Sequence, residues 1–283
     1  MEYKDFVKKD DRQVLALRKE GALPLLYYPL LEQTGVAEHG FTTREGGASK
    51  GMFESLNLSF TRGDSSEAVM ENYRRVAYAF HGTVEDIVCS DQTHTTNVLR
   101  VDKSFGGCGV TKPKPFSDVD GLITDEPGLI LATFYADCVP LYFVDPVHRA
   151  IGLSHSGWRG TVGRMGEVTL QKMRKEFGTE PGDVYAAVGP SICQDCYEVG
   201  ADVADVFAGE FPGHLKEILI DKGNGKYQLN LWKCNKLILM EAGIRKEHLA
   251  VTNICTCCNP SFLFSHRASH GKRGNLGAFL MLK

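Results

Sequence analysis

Long apolar runs are what this 283-residue sequence has least of. The longest, residues 129–136, is broken at Asp137 and falls well short of the roughly 20 residues that span a bilayer. The first eleven residues mix charges of both signs without the apolar core of a signal peptide, so a cytoplasmic protein with no membrane partner is expected. A basic excess is missing too. The 32 Lys and Arg stand against 35 Asp and Glu, with a formal charge of -3 and a pI near 6.3. No overall positive field exists to hold nucleic acid, and a small-molecule substrate becomes the default. Repeats and low-complexity tracts are absent, and the densest cluster of breakers, residues 106–115, is too short to link domains. One domain over residues 1–283 is therefore expected.

A hydrophobic content of 43% is enough to bury a large core. Asp64 followed by Glu67 resembles a capping box, and Val69, Tyr73, Val76, Ala77 and Phe80 recur at helical spacing before Gly82. A second helix is predicted over 161–177, stopping at Gly178 as a left-handed cap, and a third over 231–242 after Asn230. Short segments rich in β-formers lie at 129–135, 139–144, 150–154, 184–188, 250–254 and 261–264. Several follow one another through turns too short for a crossover helix. That pattern predicts an α+β fold of layered, mixed or antiparallel sheets flanked by helices.

Nine cysteines, an odd number without an export signal, point to reduced thiols that serve as ligands, nucleophiles or small buried hydrophobes. Cys138 follows a continuous apolar strand in Ala136-Asp137-Cys138-Val139-Pro140. The next strand ends in His155-Ser156-Gly157-Trp158-Arg159-Gly160-Thr161. A hairpin would bring Cys138 and His155 to one rim, and His94, in Gln92-Thr93-His94, is positioned to complete a His-Cys-His set. Two imidazoles and one thiolate with an open fourth position suit a catalytic Zn2+, at about 2.3 Å for sulfur and roughly 2.0 to 2.1 Å for nitrogen. The same residues also fit a metal-free Cys-His nucleophile pair, or a buried thiol beside two structural histidines.

Other segments have two readings. Arg44 adjoins Glu45-Gly46-Gly47, either an anion holder or a turn with a solvated guanidinium. Arg159 and Gly160 precede a helix start that attracts anions or is simply capped, and Trp158 is a ligand wall or core. Cys193-Gln194-Asp195-Cys196 has metal-site spacing, but along the chain Cys255-Thr256-Cys257-Cys258 reads as lacking a matching pair, so these five cysteines stay unassigned.

The chain resembles the YfiH/YlmD-like family, labelled polyphenol oxidase or laccase-like and associated with purine nucleoside phosphorylase and adenosine deaminase activity. The motifs include His39-Gly40-Phe41-Thr42-Thr43-Arg44, Ser55-Leu56-Asn57-Leu58, Asp120-Gly121-Leu122-Ile123-Thr124, Ala136-Asp137-Cys138, His155-Ser156-Gly157-Trp158-Arg159-Gly160, Cys196-Tyr197-Glu198-Val199-Gly200 and Phe264-Ser265-His266-Arg267. They run from about residue 36 almost to the end, leaving residues 1–35 as an amino-terminal extension. Arg273-Gly274-Asn275 departs from the family's Gly-Arg pair.

The resemblance implies metal ligation, by zinc or alternatively copper, at His94, Cys138 and His155. It also implies phosphorolysis of adenosine, inosine or guanosine, with methylthioadenosine as a further substrate, and deamination of adenosine. Arg44 is then the candidate for phosphate, and Asn57, Gln92 and Asp137 are candidates for base and ribose. A metal-independent Cys-His hydrolase or deamidase and a copper polyphenol oxidase are the alternatives. The copper oxidase would need a multi-histidine cluster that nine scattered histidines do not suggest.

Overall fold

The computed structural model describes residues 2–283. Strands run, in chain order, Ala16–Glu20 (β1), Leu23–Tyr27 (β2), Ala37–Thr42 (β3), Ile87–Cys89 (β4), Val98–Arg100 (β5), Gly121–Thr124 (β6), Ile130–Tyr135 (β7) and Val139–Asp145 (β8). They continue with Ala150–Ser156 (β9), Tyr185–Val188 (β10), Glu198–Gly200 (β11), Leu219–Gly223 (β12), Lys226–Leu229 (β13), Leu249–Val251 (β14) and Leu276–Leu282 (β15). The helices are Pro29–Glu32 (α1), Ser66–Ala79 (α2), Trp158–Val162 (α3), Met165–Phe177 (α4), Ala201–Glu210 (α5), Leu215–Ile218 (α6) and Leu231–Glu241 (α7). None is long and apolar enough to cross a membrane.

One six-stranded sheet has the order β1-β2-β3-β15-β7-β4, a second has β14-β10-β8-β9-β6-β5, and a small third sheet has β11-β13-β12. Most neighbours are antiparallel, but β4/β7, β5/β6 and β10/β14 are parallel, so the expected mixed α+β layering is what forms. Side chains alternate between faces along a strand. Tyr142 and Leu153 of the second sheet turn inward against Phe41, Leu131, Tyr135 and Leu280 of the first. Leu141 and Phe143 turn outward against α4 and α7 through Met173, Ile238 and Leu239. On the outer face of the first sheet, Leu25, Ile130 and Phe279 pack under Val69, Tyr73 and Val76 of α2. Both faces of the central strands are covered, which is why β8 and β15 are buried throughout and read as continuous apolar runs.

Several boundaries differ from expectation for identifiable reasons. Ser65, not Asp64, caps α2, its hydroxyl accepting from the Ala68 N–H at 3.3 Å, because Asp64 binds the Asn57 amide at 2.9 Å. The helix predicted over 161–177 is two pieces. Arg164 adopts φ 58 between them, and its guanidinium reaches Glu210 at 2.9 Å and Glu241 at 2.7 Å. Gly178 is the left-handed cap foreseen, with φ 78. Residues 261–264 form a turn rather than a strand, since the N–H groups of Phe262 and Leu263 both donate back to Asn259 O. The amino-terminal segment is no appendage, because β1 pairs with β2 and β2 with β3. Finally, β7 and β8 follow each other closely but lie in different sheets, so residues 136–138 are where the chain crosses from one layer to the other.

Asn72 shows how the surface loops are held. From α2 its buried amide accepts from the Ala48 N–H at 2.7 Å and donates to Ser49 Oγ at 2.9 Å and Asn57 O at 2.8 Å. Asn72→Ala leaves these groups without partners and should cost about 2 to 3 kcal/mol. Urea denaturation measures it, and a loss under about 0.5 kcal/mol would show that the loop does not depend on this side chain.

Candidate active site

The β8/β9 hairpin sets Pro140 opposite His155 and Val139 opposite Ser156, so Cys138, one residue before the strand, emerges at the same rim as the His155 ring. His94 comes from the turn after β4, where its backbone is left-handed with φ 68. The predicted convergence is present. One ligand atom from each of His94, Cys138 and His155 lies within 4.8 Å of the others. His94 Nε2 is 4.0 Å from Cys138 Sγ, and the two imidazole rings meet edge to face with centroids 5.0 Å apart.

Asp120 builds this arrangement, and the sequence reading did not single it out. Its fully buried carboxylate accepts from the N–H groups of Thr93 at 3.0 Å, His94 at 3.1 Å and Thr95 at 2.9 Å, and from His155 Nδ1 at 2.7 Å. Burial alone would raise its pKa, but the His155 hydrogen bond and the backbone N–H groups hold it down to about 2. An ionised Asp120 fixes the His155 proton on Nδ1 and leaves Nε2 to face Cys138. Carboxylate–histidine pairs orient metal ligands in this way.

Burial would likewise raise the Cys138 thiol, but His155 and then His94 bring it down to about 6. His155, disfavoured as a cation by burial, is nevertheless raised to about 9 by Cys138 and Asp120. The thiol is thus readied as a thiolate, the form that ligates a metal or attacks carbon. The donor set fits a metal, and the space around it is shaped for one. At Gly157 a Cβ would stand 2.9 Å from His94 Cδ2 and 3.2 Å from Cys138 Sγ, so any side chain there would push two of the three ligands aside. Two histidines, one cysteine and an open side suit Zn2+. The described residues hold no multi-histidine cluster of the multicopper type.

The open side faces a cavity of about 430 Å³, large enough for a nucleoside. Gln92 lines it, although its amide is held by the backbone of Phe134, donating at 2.8 Å and accepting at 2.7 Å. Three other expected substrate residues are engaged elsewhere. Arg44 is not among the lining residues; its guanidinium donates to Glu54 O at 2.7 Å and Pro260 O at 2.9 Å and stacks over Phe264. Asn57 is fully buried, accepting from the N–H groups of Ser59 and Asn275. Asp137, at φ 96, has one carboxylate oxygen on Thr256 Oγ1 at 2.6 Å and the other on the Arg267 N–H at 2.7 Å. It holds the crossover that presents Cys138. Arg159 stacks on Trp158, 4.2 Å from the ring centre, and neither lines the cavity.

The cations that line the cavity are instead Arg62 and Lys114, which nothing in the sequence singles out, and Arg273, noted there only as a departure from the family's Gly-Arg pair. Lys114 is paired with Asp91. Arg273 is half-buried, its Nη1 donating to Gly274 O at 3.3 Å and to Asn275 Oδ1 while its Nε has no partner, and burial followed by the nearby Arg62 lowers its pKa to about 10.

Asp120→Asn tests the support of the ligands. It should weaken metal binding by about 10- to 100-fold, measured by competition with a chromophoric chelator, while the fold persists. Unchanged affinity would show that His155 is oriented without the carboxylate.

A family model described as "Multi-copper polyphenol oxidoreductase laccase" matches residues 38–283. "Purine nucleoside phosphorylase YlmD" of Bacillus subtilis (strain 168) is 36% identical over 245 residues, 86% of this chain and 88% of that protein. "Adenosine deaminase RL5", from an unknown prokaryotic organism, is 31% identical over 228 residues, 80% of this chain and 86% of that protein. The crystal structure of YlmD from Geobacillus stearothermophilus superimposes with a TM-score of 0.89 at 34% identity, covering 96% of this chain and 100% of that one. With its fold and most of its length shared in this way, the chain belongs to the YfiH/YlmD family of multi-copper polyphenol oxidoreductase laccase-like proteins.

Proposed function

We propose that this protein is a zinc-dependent purine nucleoside phosphorylase that also deaminates adenosine, with adenosine, inosine, guanosine and methylthioadenosine as substrates. The observation that carries the reading is one cavity with a His-Cys-His ligand set on its wall and two guanidiniums, Arg62 and Arg273, within reach of each other's charge. Two guanidiniums lining one cavity suit an anion, and inorganic phosphate supplies one. The names of the relatives support both activities.

In phosphorolysis a phosphate oxygen bonds to C1′ of the ribose as the C1′–N9 bond breaks, and the base leaves with the electron pair and takes up a proton. Arg62 and Arg273 hold the nucleophile, a role that passes from Arg44 because Arg44 lies outside the cavity, and Arg273 does so beside the bonds its Nη1 donates to Gly274 O and Asn275 Oδ1. Phe60, stacked on Tyr73 with ring centroids 5.5 Å apart, offers an aromatic wall for the purine. Gln92 keeps the backbone at Phe134 in place beneath it. His94, Cys138 and His155 would hold Zn2+, which supplies a Lewis acid at the base and activates water for deamination.

The thiolate–imidazolium character of Cys138 and His155 favours one second reading, a metal-independent Cys-His hydrolase or deamidase. Chelation separates the two, since metal removal abolishes turnover in the first case and leaves it intact in the second.

Arg273→Met tests the anion site. Phosphate-dependent cleavage of inosine should fall by about 10- to 100-fold, the worth of a charged hydrogen bond, while adenosine deamination, which needs no phosphate, should change by less than about twofold. Equal loss of both activities would remove Arg273 from the phosphate site.

A further inference from the structure

Apart from the active-site set, the described residues hold one other group of metal-ligating side chains: Cys193, Cys196, Cys255 and Cys258, with all four Sγ atoms within 4.8 Å of one another. This corrects the reading along the chain. Cys255 and Cys258 form the second pair, spaced as Cys193 and Cys196 are, and Cys257 is the one left over. Topology brings the pairs together. The parallel neighbours β10 and β14 run on to the bridge between Ser191 and Cys255, and each then turns back through its own pair of cysteines.

We propose that these four thiols close on a structural divalent cation, zinc by ligand chemistry, at a tetrahedral site separate from the one formed by His94, Cys138 and His155. Four sulfurs at about 2.3 Å from one ion stand roughly 3.8 Å apart. Cys193 Sγ lies 3.9 Å from Cys258 Sγ, and Cys196 Sγ lies 3.5 Å from the same atom. A disulfide needs about 2.05 Å, and all nine cysteines are free.

The surroundings suit thiolates. The Cys193 N–H donates to Cys255 Sγ at 3.2 Å, and the Lys9 ammonium, paired with Asp195 at 2.5 Å, stands near enough to Cys193 and Cys258 for its charge to act on them. Such N–H and cation contacts offset the negative charge that four thiolates leave around one zinc.

The apolar cluster at this corner has a buried centre of Ile192, Cys193 and Cys255, with the half-buried Tyr197 and Trp232 and the other cysteines packed against it, so the thiols lie at the edge of the packing between two turns. The same turns brace the active site. The Ile192 N–H donates to Asp137 O at 2.9 Å, and Thr256 Oγ1 donates to the Asp137 carboxylate, so the cation would hold the crossover next to Cys138.

The test uses Cys138→Ala protein, in which the active-site set has lost its thiolate and this cluster is untouched. Elemental analysis after desalting should find one tightly held zinc per chain. Cobalt exchanged into the same protein should show intense thiolate-to-cobalt charge transfer and tetrahedral d–d bands. Adding Cys196→Ser and Cys258→Ser should abolish both signals. No retained zinc, a cobalt spectrum without sulfur charge transfer, or cysteines recovered as disulfides in intact-mass measurements would overturn the proposal. None of these results depends on nucleoside turnover, so failure here leaves the active-site reading standing.

Discussion

The site rests on the buried carboxylate of Asp120. It accepts three consecutive backbone N–H groups, those of Thr93, His94 and Thr95, together with the Thr95 hydroxyl and the His155 ring. The backbone repeats the link, since the His155 N–H donates to Asp120 O at 2.7 Å. An ionised carboxylate away from water is tolerated only when its lone pairs are filled, and here they are. One residue therefore fixes the turn that carries His94 and the tautomer of His155. It couples two of the three ligands before any metal is considered.

The third ligand depends on the crossover between sheets. Residues 136–138 leave β7 in one sheet and enter β8 in the other, and Asp137 takes a left-handed backbone to do so. Its carboxylate, bound to Thr256 and to the Arg267 N–H, stabilises a conformation that costs about 1 kcal/mol or more on its own. The layered core positions this bend, because Tyr135 packs between the sheets just before it and the fully buried β8 follows it. Two of the ligands are thereby set at the rim of the sheets, and the third, on the turn after β4, is held by Asp120.

Strand-end placement made His94, Cys138 and His155 legible as a candidate set, but their chemistry alone fitted a metal, a Cys-His nucleophile pair or a buried thiol equally, and the metal role came from the family resemblance. Helix α2 and, within a longer predicted helix, α4 were legible from their periodicity, α7 from its capping residues, and the central strands from their β-forming composition. Asp120 was not, because an aspartate before a glycine reads equally well as a turn residue until the β6/β9 pairing sets it beside His155. Arg62 and Arg273 meet only through the fold, from opposite ends of the chain. Arg44 and Asn57 show the converse limit: both sit in distinctive motifs, yet their polar groups are occupied by backbone partners that no local pattern reveals. The central position of β15, between β3 and β7, was equally hidden in an unremarked carboxyl-terminal segment.

We propose that Asp120 holds His94 and His155 so that, with Cys138, they bind one metal on the wall of the cavity. Anomalous diffraction at the zinc edge, on crystals of the protein purified without added metal, tests it most directly. The expected result is a peak about 2.0 to 2.1 Å from a ring nitrogen of each histidine and about 2.3 Å from Cys138 Sγ. A crystal of active enzyme with no metal peak among these three side chains would contradict it.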